Sequence, residues 1–568
     1  MAVADPPTSW TGQPRIRGGT ESMRLFLLTF SLIGLQFCWG TEQTYATPYL
    51  LALGLSKGGM SLVWIAGPLS GLIMQPIIGM ISDKSTSKYG RRRPFMVGGT
   101  VAVAICLLVL GWAKEIVAWF VPGTGADVEE RRRSATITVA IVDIYILDFV
   151  INIAQATCRA LVVDALPVEK QQIGAAWVTR MVGLGHILVF GFGALDLNYW
   201  LPPVFGDTQF KKVCAFAAFM MVLTFSVNCW AVTERVLVSD GSKTTGTDQT
   251  LIGIIKQIYS RALYVPQRIQ YICNVQFWAW IGWFPLMFYG STWVGEIYLR
   301  HGLHGTPPTT DDALSQVGRV GSTALIIHSS IGFVTAIVLP WLVTSPGEDE
   351  KAQTFTPRPP KGLEGVAEKV PLNKPSLLNV WTFGCLMFSS CLFFAPLVKS
   401  VGFATFLMAV AGVPSAIAGL ACTTLIGVEI NRLSSTLPTM GARNGRTPLS
   451  RTPSSRRSSN DYELEEPLHL RHSSQSSVGA THSATGELSG IYLGILNIYT
   501  TLPQFVGTAI SWVVFSILEP GKSPELAKDA HPDDVHPTEG LSGIGVCLFI
   551  GSLSSVMAAI ATRKLKEH

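Results

Sequence analysis

Apolar residues along this chain fall in long runs rather than short alternating stretches. A run of about 20 mainly apolar residues is what a helix needs to cross a bilayer. Twelve runs qualify, near 25–53, 61–82, 95–118, 136–165, 174–200, 211–233, 269–290, 320–344, 378–398, 402–429, 489–517 and 542–562. Pro285 interrupts the seventh and Pro414 the tenth, breaks that membrane helices tolerate where they line cavities. A polar stretch at 234–266 divides the pattern into two sets of six. The expected organisation is a polar tail (1–23), a first bundle (24–233), a linker (234–266) and a second bundle (267–568). Two segments of the second half, 345–375 and 431–487, are rich in Pro, Lys and Glu or in Ser, Arg and Thr, and read as disordered loops.

Composition agrees with the pattern. The chain is 48% hydrophobic and 14% charged, against about 25% charged for a soluble domain. The net charge of +5 is small for 568 residues and no basic stripe is interleaved with aromatics, so nucleic acid is not an expected partner. Nearly all of the ten cysteines lie inside apolar runs without CxxC spacing, which reads as small core residues rather than disulfides or metal ligands. No metal or cofactor is expected. There is no Asn-x-Ser/Thr sequon, so N-glycosylation is not expected. The first 20 or so residues are polar and lack an h-region, so a cleaved signal peptide is not expected.

Basic residues set the expected orientation. The loop after the second run holds Lys84, Lys88, Arg91, Arg92 and Arg93, the loop after the tenth is rich in arginine, and the loop after the eleventh is acidic. Both termini and the even-numbered loops are therefore expected in the cytoplasm. The "EERRR" stretch at 129–133 falls on the other side and dissents.

"GMISDKSTSKYGRRRPF" (79–95) joins the second and third runs. Gly79 permits close helix approach, Asp83 ends one helix, and Gly90, Arg91, Arg92 and Arg93 open the next. A carboxylate facing an arginine cluster can latch helices in one state and release them in another; a plain topology signal is the other reading. Twelve helices in two halves make the expected fold class an all-α integral membrane protein of the major facilitator architecture. Facilitator transporters carry a Gly-x-x-x-Asp-x-x-Gly-Arg-Arg motif in this loop, here stretched to six residues between Asp83 and Gly90. With "GPLSGLIMQPIIGMISD", "GRRRPF", "LQFCWGTEQTYATPYL" and "CRALVVDALP", the chain resembles the proton-coupled sucrose transporters of plants and their fungal and animal relatives. The resemblance is good over the first six runs, weaker in the seventh and eleventh, and closest to the fungal branch.

The fourth run holds charges. At about 100° per residue, Asn152 lies about 40° from Asp148, and Gln155 and Arg159 fall about 20° to either side of it. The four share one polar stripe. Such a stripe must face a bundle interior or a watery cavity, since a lone charge at mid-bilayer costs about 2.5–3.5 kcal/mol even on the gentlest scale. Along a straight helix Asp148 and Arg159 are about 16 Å apart, too far for a salt bridge with each other. A buried carboxyl disfavours its anion, which suits Asp148 to carry a proton. The Arg159 fork suits sugar hydroxyls or a carboxylate, and Asn152 and Gln155 can both donate and accept. The resemblance implies the same two assignments, proton for Asp148 and sugar for Arg159. Asp164, about 160° round from Asp148, is expected to pair with the cytoplasmic arginines. A stripe that merely holds helices together is the alternative.

Elsewhere in the apolar runs, Glu42 is a second candidate proton or sugar site by default; Gln36 and Trp39 are candidate sugar contacts on the same helix. In "STWVGE" (291–296) the plant carriers' aspartate and arginine are missing, while Trp293, Gly295 and Glu296 carry over. Plant members have a histidine near where Lys57 stands. Asn497 and Gln504, seven residues apart in "LGILNIYTTLPQF", share a face. Glu296, Asn497 and Gln504 complete the candidate sugar contacts. His186 and His328 read as packed side chains.

The expected function is a symporter that uses a proton gradient to move a disaccharide (sucrose, maltose or a related α-glucoside) by alternating access, in the plasma membrane or an endomembrane. The alternative is a sugar sensor signalling through 431–487, where "RTPSSRRSSND" also admits a kinase acting on 450–475. An enzyme is not expected: no nucleophile–base pair, Walker A loop or GxGxxG fingerprint stands at a credible site.

Overall fold

The computed structural model describes residues 9–12, 14–83, 85–167, 170–239, 265–301, 310–344, 374–436, 478–524, 526 and 540–567. Most of the expected loops at 345–375 and 431–487, the 450–475 serines and most of the 234–266 linker lie outside the described residues; the two ends of 431–487 are corrected by the structure, since 431–436 and 478–487 are helical.

Long helices dominate. In chain order they are α1 (Glu21–Ala52), α2 (Lys57–Asp83), α3 (Arg93–Gly111), α4 (Ala126–Ala165), α5 (Gln171–Ala194) and α6 (Gln209–Ala231). The second half has α7 (Gln267–His301), α8 (Thr310–Leu342), α9 (Leu377–Phe393), α10 (Val401–Thr436), α11 (Val478–Leu518) and α12 (Gly543–Glu567). Among the described residues, every one of these but α7 contains a stretch long and apolar enough to cross a membrane. This is a multi-pass membrane protein.

Within the first half α4 packs on α2 and α3, and α6 on α1 and α3. Within the second half α12 packs on α7 and α9, and α8 on α10. Two seams bring the halves together, α5 against α8 and α2 against α11. Small residues allow these approaches. A Cβ added to Gly193 would meet Ser322 Oγ at 2.5 Å, and one on Gly183 would meet the Phe333 ring at 2.6 Å.

The two expected proline breaks are corrected by the structure. Pro285 lies inside the continuous α7 and Pro414 inside the continuous α10. Proline removes one backbone donor, but in lipid the rest of the backbone has no water to turn to, so staying helical costs least. The irregular turn falls in α1 instead, where Glu42–Ala46 forms a π-helical turn, a feature that often marks functional positions. The dissenting "EERRR" stretch also has a local explanation. It belongs to the first turns of α4, where Arg132 Nε donates to the Val121 carbonyl (2.9 Å) and Arg133 Nε to that of Leu53 (2.7 Å). These cations are held by loop carbonyls at the end of the bundle away from the termini.

Four short strands staple the amino-terminal tail to the end of α6. They are β1 (Ser9–Thr11), β2 (Arg15–Ile16), β3 (Val232–Thr233) and β4 (Val236–Ser239), paired β1 with β4 and β2 with β3, both antiparallel. The Arg17 guanidinium lies 4.4 Å from the centre of the Trp230 ring.

Candidate functional site

The polar stripe of α4 lies against α1 and α2. Asp148 is 1% and Asn152 2% exposed. Glycines on α2 make room: a Cβ at Gly67 would stand 3.9 Å from Asp148 Oδ2, and one at Gly71 3.8 Å from Asn152 Oδ1. Asn152 Nδ2 donates to Ser70 Oγ (3.0 Å), and Gln75 Nε2 donates to Asn152 Oδ1 (3.2 Å). Neither Asp148 oxygen has a hydrogen-bond partner among the described residues. Farther along, Gln155 is half-buried and accepts from Trp39 Nε1 at 3.1 Å. Arg159 is exposed although crowded by neighbouring atoms, as a side chain in an open crevice would be. The stripe thus runs from a buried end at Asp148 to an exposed end at Arg159.

The α1 candidates divide. Trp39 joins the stripe through Gln155. Gln36 is buried and turns to α5, where a Cβ on Gly185 would meet its Cβ at 2.8 Å. Glu42, on the π turn, is 1% exposed, and neither carboxyl oxygen has a hydrogen-bond partner among the described residues. On α11, Asn497 and Gln504 are half-buried, and Gln504 Nε2 donates to the Thr500 carbonyl at 3.0 Å. They and the α4 stripe belong to opposite halves.

Contacts that join the halves concentrate at the end away from the termini. Thr47 Oγ1 donates to the Phe288 carbonyl (3.1 Å), Ser291 Oγ to that of Gln43 (2.9 Å), and Arg319 Nη1 to Asp196 Oδ2 (2.9 Å). The Trp64 and Phe288 rings lie 4.5 Å apart. Beside them sits an ion cluster that spacing did not reveal. Lys57 Nζ lies 2.7 Å from Glu296 Oε1 and 2.9 Å from Glu519 Oε2, with its side chain 0% exposed. Arg300 Nη2 approaches Glu519 at 3.4 Å and Glu296 at 3.9 Å. In this conformation the carboxylate of Glu296, a candidate sugar contact, is paired with Lys57 across the halves.

At the opposite end, the 79–95 loop is tied to its own half. Arg91 Nη2 donates to Asp164 Oδ1 (2.6 Å) and Arg92 Nε to Asp164 Oδ2 (2.9 Å). Arg92 also bonds Ser82 and Asp83. Arg93 Nη2 donates to the Cys229 carbonyl at 2.6 Å. Glu234, which sequence reasoning missed, accepts from the backbone N–H of Arg92 (2.9 Å) and Arg93 (2.8 Å), capping α3. Burial pushes the Glu234 carboxyl above its ordinary value, against the pull of those backbone donors. Gly90 has φ +107°, and a Cβ there would stand 2.8 Å from Glu234 Cδ. Gly79 is a correction: among the described residues a Cβ there would meet nothing within 4 Å, so in this conformation no close helix approach is seen at it. A cavity of about 500 Å³ opens beside this cluster, lined by Arg91, Asp164, Gln171, Glu234 and Arg235 among others.

Both apolar-run histidines are packed: His186 stacks on Phe190 at 5.7 Å, and His328 Nδ1 lies 2.8 Å from the Met408 carbonyl.

Comparison with known proteins places this geometry. A family model described as MFS/sugar transport protein matches residues 30–262. The chain is 36% identical over 325 residues to the general alpha-glucoside permease of Schizosaccharomyces pombe, covering 57% of this chain and 56% of the permease. It is 30% identical over 336 residues to a sucrose transport protein of Arabidopsis thaliana, covering 56% of this chain and 62% of that protein. The matches thus span less than two thirds of these curated relatives. Among solved structures, a D-xylose-proton symporter aligns with TM-score 0.50 at 13% identity, covering 95% of this chain and 97% of the symporter. A nucleoside transporter aligns with TM-score 0.50 at 12% identity, covering 95% and 99%. At such identities the structures speak for the fold: it is the major facilitator fold.

Proposed function

We propose that this chain belongs to the sucrose/α-glucoside transporter-like family of major facilitator proteins that it resembles, and that it is a proton-coupled symporter of sucrose, maltose or a related α-glucoside. The observation that carries the reading is the exposed-to-buried gradient along α4. Arg159 stands exposed where a sugar would arrive, Gln155 and Trp39 form the next step, and Asp148 closes the path in buried packing. A polyol needs paired donors and acceptors beside an apolar face. The proton carrier beyond must be screened from water. Named relatives that carry α-glucosides and sucrose support the substrate class.

Transport follows as a cycle. With the distal end closed by the Lys57 cluster, the cleft opens toward the termini, which the basic loops put in the cytoplasm. Opening the distal end separates Lys57 from Glu296 and Glu519 and lets sugar and a proton in. Arg159 and Asp148 are too far apart for direct exchange, so coupling runs through the packing of α1, α2 and α4 between them. The gradient suffices: about 2.3 kcal/mol per proton at 100 mV plus about 1.36 kcal/mol per pH unit sustains a sugar ratio of several hundredfold. The plasma membrane supplies such a gradient.

The test is uptake of labelled maltose and sucrose into proteoliposomes with an imposed pH step, with and without an uncoupler. Accumulation that the uncoupler abolishes is the expected result. Binding without accumulation under any gradient would refute the symporter reading and favour a sensor.

A further inference from the structure

A third acid of the first half lies off the stripe. Asp143 is five residues from Asp148 toward the distal end of α4, about 7.5 Å along the axis and about 140° round it. It therefore points into the core of the bundle rather than the cleft. It is 5% exposed, and its Oδ2 has no hydrogen-bond partner among the described residues. The groups near it are Cys106 of α3, Cys214 of α6 and Glu42 of α1. Glu42 of α1 lies within electrostatic reach of both Asp143 and Asp148, which face different sides of α4. No Lys or Arg among the described residues forms an ion pair with any of the three.

An acid kept only for structure is normally buried with a cation or with several donors. Three acids in one bundle, with five of their six oxygens unpartnered, do not fit that role. They lie on the neighbouring helices α1 and α4, with Asp143 toward the distal end and Asp148 at the buried end of the stripe.

We propose that Asp143 is the distal station of a proton path, Asp143 to Glu42 to Asp148, that loads the carrier site from the far side of the membrane. The inference rests on the proton-coupled reading above. In each transfer the O–H bond of one carboxylic acid breaks as an O–H bond forms on the next carboxylate, and a water molecule relays the proton across any wider gap. One proton enters from water at the distal end and one leaves from Asp148 into the cleft, so the charge of the trio is restored each cycle. Asp143 touches no sugar; it is a positioning and relay residue.

The experiment uses the full chain in proteoliposomes with labelled maltose. Two rates are measured for wild type, Asp143→Asn, Asp143→Glu and Cys106→Ala: uptake driven by a pH step, and counterflow at equal pH. In Asp143→Asn the ratio of pH-driven uptake to counterflow is expected to fall at least tenfold. Asp143→Glu is expected to restore most of it. Cys106→Ala, which leaves the acid in place, is expected to shift the pH profile of driven uptake. A wild-type ratio and pH profile in Asp143→Asn would overturn the proposal. So would equal loss of both rates in Asp143→Asn and Asp143→Glu, the signature of a structural role. Wild-type protein without pH-driven uptake would instead bring down the proton-coupled reading itself, and the path with it.

Discussion

Replacing Lys57 by methionine is the sharpest perturbation of the distal closure. Methionine keeps an unbranched, apolar stem of similar length while removing the ammonium. In the closed state that ammonium holds two carboxylates from two other helices, at 2.7 Å and 2.9 Å, with no exposure to solvent. Removing one partner of a buried ion cluster costs about 3–5 kcal/mol, because the remaining charges stay buried and unpaired. Arg300 remains near both acids, at 3.4 Å and 3.9 Å, so the lower end of that range applies. When the distal end opens, Glu296 and Glu519 meet water and the cost vanishes. The substitution therefore raises the closed state by about 3 kcal/mol against the open one, a shift of about a hundredfold in their ratio.

A distance built into the same joint reads this out. A Cβ on Gly58 would lie 3.1 Å from Ser516 Oγ on α11, so the pair Gly58→Cys and Ser516→Cys forms a disulfide while the end is closed. In the Lys57→Met background the cross-linking rate is expected to fall by one to two orders of magnitude, with labelling of the thiol introduced by Gly58→Cys rising in step. Removing both acids as well (Glu296→Gln, Glu519→Gln) relieves the unpaired charge and is expected to recover much of the closure. Cross-linking at the unchanged rate in Lys57→Met would refute the reasoning, since the cluster would then not hold the halves together.

Three further outcomes follow. Asp148→Asn is expected to remove at least 90% of pH-driven sugar accumulation in proteoliposomes while the protein remains folded by size exclusion; undiminished accumulation overturns the proton assignment. Arg159→Lys replaces a planar fork by a point charge and is expected to weaken maltose affinity at least tenfold, measured as the concentration dependence of counterflow. Gly90→Ala forces a non-glycine residue to φ +107° and its Cβ against Glu234, a cost of about 1–3 kcal/mol for the backbone alone. Its thermal unfolding in detergent is expected several degrees below wild type, whereas Gly79→Ala, with open space around it, is expected to match wild type.

Most of the helices and the α4 stripe were legible because each needs only local arithmetic. Hydropathy over about 20 residues marks a span, and 100° per residue aligns Asp148, Asn152, Gln155 and Arg159. Relations between helices were not legible. Lys57 meets its two acids across 239 and 462 residues of chain, and no spacing rule reaches that far. Asp143 escaped notice because it sits on the face of α4 away from the stripe. Glu234 follows the last apolar residues of α6 and looks like ordinary linker polarity until the N-terminus of α3 is seen above it. The proline readings failed because they priced the lost hydrogen bond of one residue and not the medium that penalises unwinding its neighbours.

The positions of the two ion clusters assign them different work. A latch that opens and closes with transport must have partners in both halves. The Lys57 cluster does, joining α2 to α7 and α11. Among the described residues, the arginine cluster of the 79–95 loop bonds Ser82, Asp83, Asp164, the Cys229 carbonyl and Glu234, all of the first half. In this conformation it binds α2, α3, α4 and the end of α6 into one block. Motion of α2 at its distal end, where Lys57 stands, is then carried as rigid-body rotation of the whole first half rather than lost in bending between its helices. That block includes α4, so an opening at Lys57 tilts the Asp148 end and the Arg159 end of the stripe together. Breaking the block while leaving the distal cluster intact, with Asp164→Asn, is therefore expected to slow the coupled cycle more than it changes maltose affinity. An affinity loss larger than the loss of maximal rate would show that the arginine cluster shapes the sugar site instead.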